Sequence, residues 1–243
     1  MTLIGFNVLI FLFSPAVRGS LTGSGSERLQ CSEQAYFLHW GAIPTELTHA
    51  KQLPRTVGMV DGACQEVQPT YRKNLVLSTL TSQFVHAGWL HLLGNMLFLW
   101  VFGNNVEDRF GRVRYGVFYL LAGVVSAYAY AYSAPDSTDT LVGASGAIAG
   151  VLGAYLMLFP RAKVLTVVIV LPLWLRAWVV LGVWFLLQVA NAQLSAGANN
   201  GGIGYLVHVV GFLVGVAYGL WYRQRHPPPP PMVRVAPGYP PPW

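Results

Sequence analysis

Two polar side chains in the second half of the chain could together perform nucleophilic chemistry. Ser145 lies in the glycine-rich apolar run GASGAIAGVLGA, and His208 lies in the last long apolar run. A serine hydroxyl becomes a useful nucleophile when an adjacent base takes its proton, and histidine suits that task near neutral pH. The pair predicts an acyl-transfer site with Ser145 as nucleophile and His208 as general base.

Two further residues could donate hydrogen bonds to the oxyanion of such a reaction. His91 and Asn95 are four residues apart in an apolar run, so they share one face of a helix. Together with the Ser145 backbone amide they could form an oxyanion hole. Counted at about 1.5 Å per residue from the predicted outer ends of their helices, Ser145 and His208 lie at about the same depth.

Other polar residues are weaker candidates. His86 precedes the second apolar run, where it is either solvated or a support for the donors. Gln188 and Asn191 are expected at the membrane interface rather than in the site. Asp136 and Asp139 belong to a hydrated turn, and neither is expected to be a third catalytic member. A lone serine or histidine of this kind is more often structural, so the hypothesis depends on the combination.

The composition predicts a membrane protein. The 243 residues are 54% hydrophobic and 10% charged, whereas about a quarter of the residues in a soluble domain are charged. A bilayer-spanning helix needs about 20 apolar residues. The sequence predicts an all-α polytopic membrane fold, a bundle of six transmembrane helices, at residues 2–13, 89–102, 115–132, 141–159, 174–192 and 203–222.

Charge placement predicts the topology. The net charge of +6 comes from Lys and Arg in connectors between the apolar runs, which favours the positive-inside rule over nucleic-acid binding. We expect residues 1–18 to form the first transmembrane helix, whose natural start lies a few residues upstream. Residues 19–85 form an extracytoplasmic connector, 86–222 the catalytic core, and 223–243 a proline-rich, disordered cytoplasmic tail.

Three local features remain to be placed. The run from Val164 to Val170 is too short to span a bilayer and is expected along the interface. Cys31 and Cys64 pair if the connector faces an oxidising compartment and are bystanders otherwise. Small residues four apart let helices approach closely. Gly211, Gly215 and Gly219 have this spacing, and the helix of Ser145 carries Gly143, Gly146, Gly150 and Gly153.

The polar residues occur in motifs that resemble those of the rhomboid intramembrane serine proteases. The family's Gly-x-Ser-Gly nucleophile motif is matched by residues 143–146. Its pattern of two histidines and an asparagine is matched within residues 86–95, its His-x-x-Gly by residues 208–211, and its Glu-x-x-x-Gly by residues 107–111. The resemblance covers roughly residues 3–222.

The resemblance implies a Ser-His dyad that uses no metal or cofactor. Ser145 would be the nucleophile and His208 the base, His91 and Asn95 would form the oxyanion hole, and three residues would support them: His86, Gly143 and Gly146. The substrate would be a single-pass membrane protein whose helix unwinds near the outer face and is cut after a small residue. We expect a bacterial plasma membrane with the site facing the extracytoplasmic side.

The match to the family is incomplete at two places. Tyr71 and Arg72 stand nearest to where many members carry a Trp-Arg pair, and Ala149 stands where some members have a tyrosine that stacks on the catalytic histidine. The first alternative is a non-catalytic rhomboid-like protein that binds membrane clients; such members typically lack the serine or the histidine, and both are present here. The second is a small transporter or channel, which would favour repeated halves and polar groups at all depths.

Overall fold

The computed structural model describes residues 2–22, 26–168, 171–196 and 203–227, and these are mostly helical. A 3₁₀ turn covers Ser82–Phe84 and a π-helical stretch covers Leu99–Gly103. The elements in chain order are α1 Thr2–Leu12, α2 Ala16–Thr22, α3 Glu27–Trp40, α4 Pro44–His49, β1 Thr56–Val60, β2 Ala63–Val67, α5 Leu75–Thr81, α6 Trp89–Phe98, α7 Asn104–Phe110, α8 Arg112–Ser133, α9 Ser145–Leu158, β3 Lys163–Val168, β4 Leu171–Arg176, α10 Ala177–Ala196 and α11 Ile203–Arg225.

The apolar helices confirm the polytopic membrane fold. Helices α8, α10 and α11 are long and apolar enough to cross a bilayer, and α1 and α9 are apolar but shorter. The segments Leu75–Phe84 and Trp89–Phe110 form a pair bent by 84°, so the second predicted span continues through the π-helical stretch to the end of α7. An apolar helix thus lies at each of the six predicted positions.

Several predicted boundaries were wrong. The fourth helix begins at Ser145 rather than Leu141, because Gly143 has a φ of +119° that no α-helix adopts. The fifth begins at Ala177 rather than Trp174, and the sixth continues to Arg225 instead of ending at Tyr222. The predicted disordered tail lies almost entirely in residues 228–243, outside the described part of the chain.

Two β-hairpins were missed by the all-α prediction. Strands β1 and β2 are joined through Asp61 and Gly62, which both have positive φ. An Asp-Gly pair at the two central positions is the usual signature of a tight hairpin turn. Strands β3 and β4 pair from Lys163 with Arg176 to Val168 with Leu171. They include most of the run expected along the interface, and apolar side chains such as Val167 are exposed there.

Helix α9 lies at the centre of the bundle, and every residue from Gly146 to Tyr155 is buried. It packs directly against α11 through glycines. A Cβ atom at Gly215 would lie 1.9 Å from the Gly150 carbonyl oxygen, and one at Gly153 would lie 2.1 Å from the Phe212 carbonyl oxygen. The two helix backbones therefore touch, as the small-residue spacing predicted.

The connector before α6 is an ordered unit held by polar contacts. Cys31 of α3 forms a disulfide with Cys64 of β2, which settles the question left open by the sequence. Lys73 forms a salt bridge of 2.7 Å with Glu46, and each side chain is only 3% exposed. The Lys73 ammonium also donates to the Leu38 carbonyl at 2.8 Å. A covalent bond and a buried ion pair thus tie α3, α4 and the β1–β2 hairpin together.

Candidate active site

Ser145 is the first residue of α9 and lies at the end of a loop. Ala144 occupies the N-cap position and has no side chain that could cap the helix. The first backbone N–H groups of a helix have no partner within it, and here the first bond to a preceding carbonyl runs from Ile148 to Ala144. The nucleophile candidate therefore sits among unpaired backbone donors, at the positive end of the helix dipole.

The connector holds the loop before Ser145. Ala42 and Leu141 exchange two backbone hydrogen bonds, of 3.1 and 2.7 Å, as in a short antiparallel bridge. The Gly143 N–H then donates to the Ser82 carbonyl at 2.8 Å. Because these bonds lie only two to four residues before Ser145, they fix where the serine enters the bundle.

Gly143 brings the backbone of this loop against His91 and Asn95. A Cβ atom on Gly143 would lie 2.6 Å from Nε2 of His91 and 3.8 Å from Nδ2 of Asn95. The φ of +119° is also one that residues with side chains rarely adopt. Only glycine fits both the conformation and the space, which explains why position 143 of the motif is a glycine.

Each of the two predicted oxyanion donors has a donor atom that faces this loop. The Ala87 N–H donates to Nδ1 of His91 at 3.4 Å, so the proton of the neutral ring belongs on Nε2, the atom nearest to Gly143. Asn95 is 8% exposed, and its Nδ2 has no hydrogen-bond partner among the described residues. A buried amide that lacks a partner is costly, and this one is placed to donate to a bound group.

His86 is completely buried, so the option that it is merely solvated was wrong. Its Nδ1–H donates to the Phe84 carbonyl at 3.3 Å, and its ring packs edge-on against His91 with centroids 5.1 Å apart. His86 therefore packs against His91, a predicted oxyanion donor. This contact agrees with the alternative that His86 supports the donors.

Gly146 also has a packing reason. A Cβ atom there would lie 2.7 Å from Cγ1 of Val207, which immediately precedes His208 in α11. The same position would lie 3.2 Å from Cβ of Ser126 in α8. The absence of a side chain at Gly146 therefore brings the helix carrying the serine close to the helix carrying the histidine.

His208 has a partner that the sequence analysis assigned to the membrane interface. Gln188 of α10 is only 9% exposed, and its Oε1 lies 2.8 Å from Nδ1 of His208. The interfacial expectation for Gln188 was therefore wrong. A polar side chain inside a predicted span is by default a functional candidate, and that signal could have found it. The Trp184 ring lies 5.9 Å from the His208 ring. By the resemblance, this is the histidine ring on which a tyrosine stacks in some family members.

The predicted residues meet at two adjoining cavities of about 270 Å³ each. Ser145, His208 and His91 line both cavities; one extends to Gly143, and the other to Asn95 and Trp184. Within the described part of the chain, no hydrogen bond joins Ser145 to His208. Catalytic hydrogen bonds are often long before substrate binds. The fold thus brings the predicted site residues together, and their chemical roles remain predictions.

The chain belongs to the rhomboid family. The model of the rhomboid domain matches residues 73–225, which is more than half of the chain. The match includes all of the motif residues described above. It also begins at Lys73, so most of the connector lies before it.

Three curated relatives are similar over about three fifths of the chain. Rhomboid protein 1, mitochondrial, of Saccharomyces cerevisiae is 35% identical over 61% of this chain and 42% of its own length. Rhomboid-like protein 11, chloroplastic, of Arabidopsis thaliana is 31% identical over 61% of this chain and 52% of its own. Presenilin-associated rhomboid-like protein A, mitochondrial, of Danio rerio is 30% identical over 62% of this chain and 37% of its own.

The chain spans about half or less of the length of these relatives. The names of these relatives refer to mitochondria or chloroplasts, so they do not support the expected bacterial plasma membrane. What they support is a rhomboid fold embedded in a membrane.

Proposed function

We propose that this chain is an intramembrane serine endopeptidase that cleaves single-pass membrane proteins through Ser145 and His208. One observation carries the proposal: Gly143, which has a positive φ, brings its loop against His91 Nε2 and the unpartnered Asn95 Nδ2, directly before a serine that lines the same cavities as His208. An acyl-transfer site needs a nucleophile, a base and fixed donors, and these are its parts.

In the proposed reaction, Ser145 Oγ attacks the scissile carbonyl carbon while its proton passes to Nε2 of His208. The carbonyl oxygen becomes an oxyanion, and we assign its stabilisation to Asn95 Nδ2, His91 Nε2 and the Ser145 backbone N–H. His208 then protonates the leaving amine, and an acyl-enzyme remains on Ser145. Attack by water, activated by the same histidine, releases the second product.

The substrate must present an extended segment, because the carbonyls of a helix are already hydrogen-bonded and shielded. A single-pass helix that unwinds near the membrane surface meets this requirement, with a small residue before the scissile bond. The loop before Ser145 lies against the connector, so we propose that cleavage occurs on the connector's side of the bilayer.

The Cys31–Cys64 disulfide supports an oxidising compartment on that side. The exterior of a bacterial plasma membrane is such a compartment, and that location remains part of the proposal.

The proposal is tested with purified protein in liposomes and a model single-pass substrate that carries small residues near one membrane surface. Wild type should yield two fragments, and Ser145→Ala should yield none. Asn95→Ala should slow cleavage by roughly 10²-fold, the usual loss on removing one oxyanion donor.

Ser126→Ala is the matched serine control. Ser126 is buried beside Gly146 and its hydroxyl donates to the Ala122 carbonyl at 2.6 Å, so its loss should leave most activity intact. Cleavage that survives Ser145→Ala would reject the assigned nucleophile. Binding of substrate without cleavage by wild type would favour the non-catalytic, client-binding alternative.

A further inference from the structure

The hydrogen bond between Gln188 and His208 gives the dyad a third polar member. Gln188 lies on α10, whereas Ser145 and His208 lie on α9 and α11. Its Oε1 lies 2.8 Å from Nδ1 of His208, and the side chain is 9% exposed. The proposed reaction uses only Nε2 of the histidine and assigns no role to the hydrogen bond at Nδ1.

The chemistry of the contact determines where the histidine proton lies. An amide oxygen only accepts hydrogen bonds, so Nδ1 must carry the proton of the neutral ring. Nε2 is then left with a free lone pair, which is the form that a general base needs. The opposite tautomer would have its lone pair on Nδ1 and a proton on Nε2, and it could not accept a proton from Ser145.

We propose that Gln188 is a positioning residue that holds His208 in the tautomer and orientation required to deprotonate Ser145. This proposal rests on the proposed protease function. When the Oγ–carbon bond forms, the serine proton moves to Nε2, and the Nδ1–H remains bonded to Gln188 throughout. Gln188 itself neither gains nor loses a proton.

The environment explains why a neutral side chain suits this position. The neighbours of Gln188 on α10 include Leu186 and Leu187, which are 66% and 55% exposed on the outside of the bundle. A carboxylate at this depth would have to be buried as a charge close to lipid, which is costly. A glutamine carbonyl orients the ring through its dipole without that cost.

A set of α10 variants tests the role. Gln188→Met keeps nearly the same volume but loses the acceptor, so kcat should fall roughly tenfold, the loss that corresponds to one hydrogen bond of typical strength. KM should stay within about twofold, because binding of the substrate does not use this bond. Gln188→Glu restores an acceptor, so the folded protein should recover most of the lost kcat, while the cost of burying the carboxylate should appear as a lower Tm. Leu187→Met, on the lipid-facing side of the same turn, should match wild type.

A spectroscopic measurement tests the contact independently of activity. ¹⁵N NMR of histidine-labelled wild type, assigned by difference against His208→Gln, should show a protonated Nδ1 and an unprotonated Nε2 when the ring is neutral. The signals of Gln188→Met should show a mixture of tautomers. If wild type does not cleave any substrate, the protease proposal fails, while this measurement still decides the positioning of the ring.

Two results would overturn the inference. The first is a protonated Nε2 on His208 in wild type, which would mean that the Gln188 amide nitrogen faces the ring. The second is a Gln188→Met variant with wild-type kcat and an unchanged tautomer. If Gln188→Met cannot be purified in folded form, the wild-type spectrum and the Gln188→Glu variant still give the answer.

Discussion

The connector and the contact between α9 and α11 are held together by opposite means. In the connector, a disulfide, a buried ion pair and backbone hydrogen bonds join short elements. Between α9 and α11, glycines let one backbone rest on the other, with Gly150 against Gly215 and Gly153 against Phe212. The difference follows from the surroundings of the two regions. Inside a bilayer no hydrophobic force drives helices together, so close packing must do so.

The candidate site lies where these two regions meet. The loop that precedes Ser145 is bonded to the connector through Ala42 and Ser82. The distance between the helices that carry Ser145 and His208 is set by the glycine contact, which begins at Gly146. A change in either region should therefore affect the proposed cleavage, but through different parts of the site.

The largest effect is expected at the glycine contact. Gly215→Leu would place its first side-chain atom 1.9 Å from the Gly150 carbonyl oxygen, where only backbone could move, so α9 and α11 would have to separate. Since proteins are stable by only about 5–15 kcal/mol, we expect little or no folded protein, measured as monodisperse yield and Tm in detergent. The control is Gly182→Leu on α10, where nothing lies within 4 Å of the added atom; it should fold normally. A folded, active Gly215→Leu protein would disprove the contact.

The second effect is expected at the buried ion pair. Glu46→Gln should lower the free energy of unfolding by about 3–5 kcal/mol, because Lys73 would remain as a buried, unpaired charge. The double variant Glu46→Gln with Lys73→Met should recover part of this loss. Thermal unfolding of the three proteins measures it, and equal stability of single and double variants would contradict the expectation.

The same variant has a predicted pH dependence. Burial lowers the pKa of Lys73, and the hydrogen bond and charge of Glu46 partly offset this. Without Glu46 the pKa falls further, so the folded state binds fewer protons than the unfolded state at pH values between this lowered pKa and about 10.4. Stability therefore rises with pH, and the deficit of Glu46→Gln should shrink between pH 7 and about pH 9.5.

The third and smallest effect is expected at the disulfide. The bond between Cys31 and Cys64 closes a loop with a sequence separation of 33, and its removal by a Cys31→Ser, Cys64→Ser double substitution should cost roughly 2–4 kcal/mol. Because the loop before Ser145 depends on the connector, the double variant should have a lower Tm than wild type. Its kcat should also fall at lower temperatures than the kcat of wild type. A double variant with unchanged Tm would contradict this expectation. So would wild type whose Tm does not change when reductant converts the disulfide to free thiols.

The sequence predicted the features that depend on regular helices. Hydropathy located all six apolar helices, and four-residue spacing predicted both the shared face of His91 and Asn95 and the glycine contact. The start of α9 was missed because the depth count assumed a helix from Leu141, whereas the positive φ of Gly143 ends regular structure there. The equal depths counted for Ser145 and His208 therefore rested on a wrong helix start.

Contacts between distant elements could not be predicted. Strands β3 and β4 share their apolar composition with a membrane helix, and only pairing between them distinguishes the two. Gln188 was placed at the interface because depth along one helix does not say which neighbour a side chain faces. The pairing of the cysteines depends on how α3 packs on β2, which no local pattern encodes.

The bonds from Ala42 and Ser82 to the loop before Ser145 also bear on the order in which the site can form during translation. A ribosome makes both acceptor sites before it makes residues 141–145, so the anchor can be complete while α9 is still being translated. Helix α11, with His208 and the glycines that close against α9, is made later than α9. If the chain acts as proposed, its nucleophile loop would therefore be anchored but lack its base until α11 is made, and a nascent chain would be unable to cut its neighbours before that point.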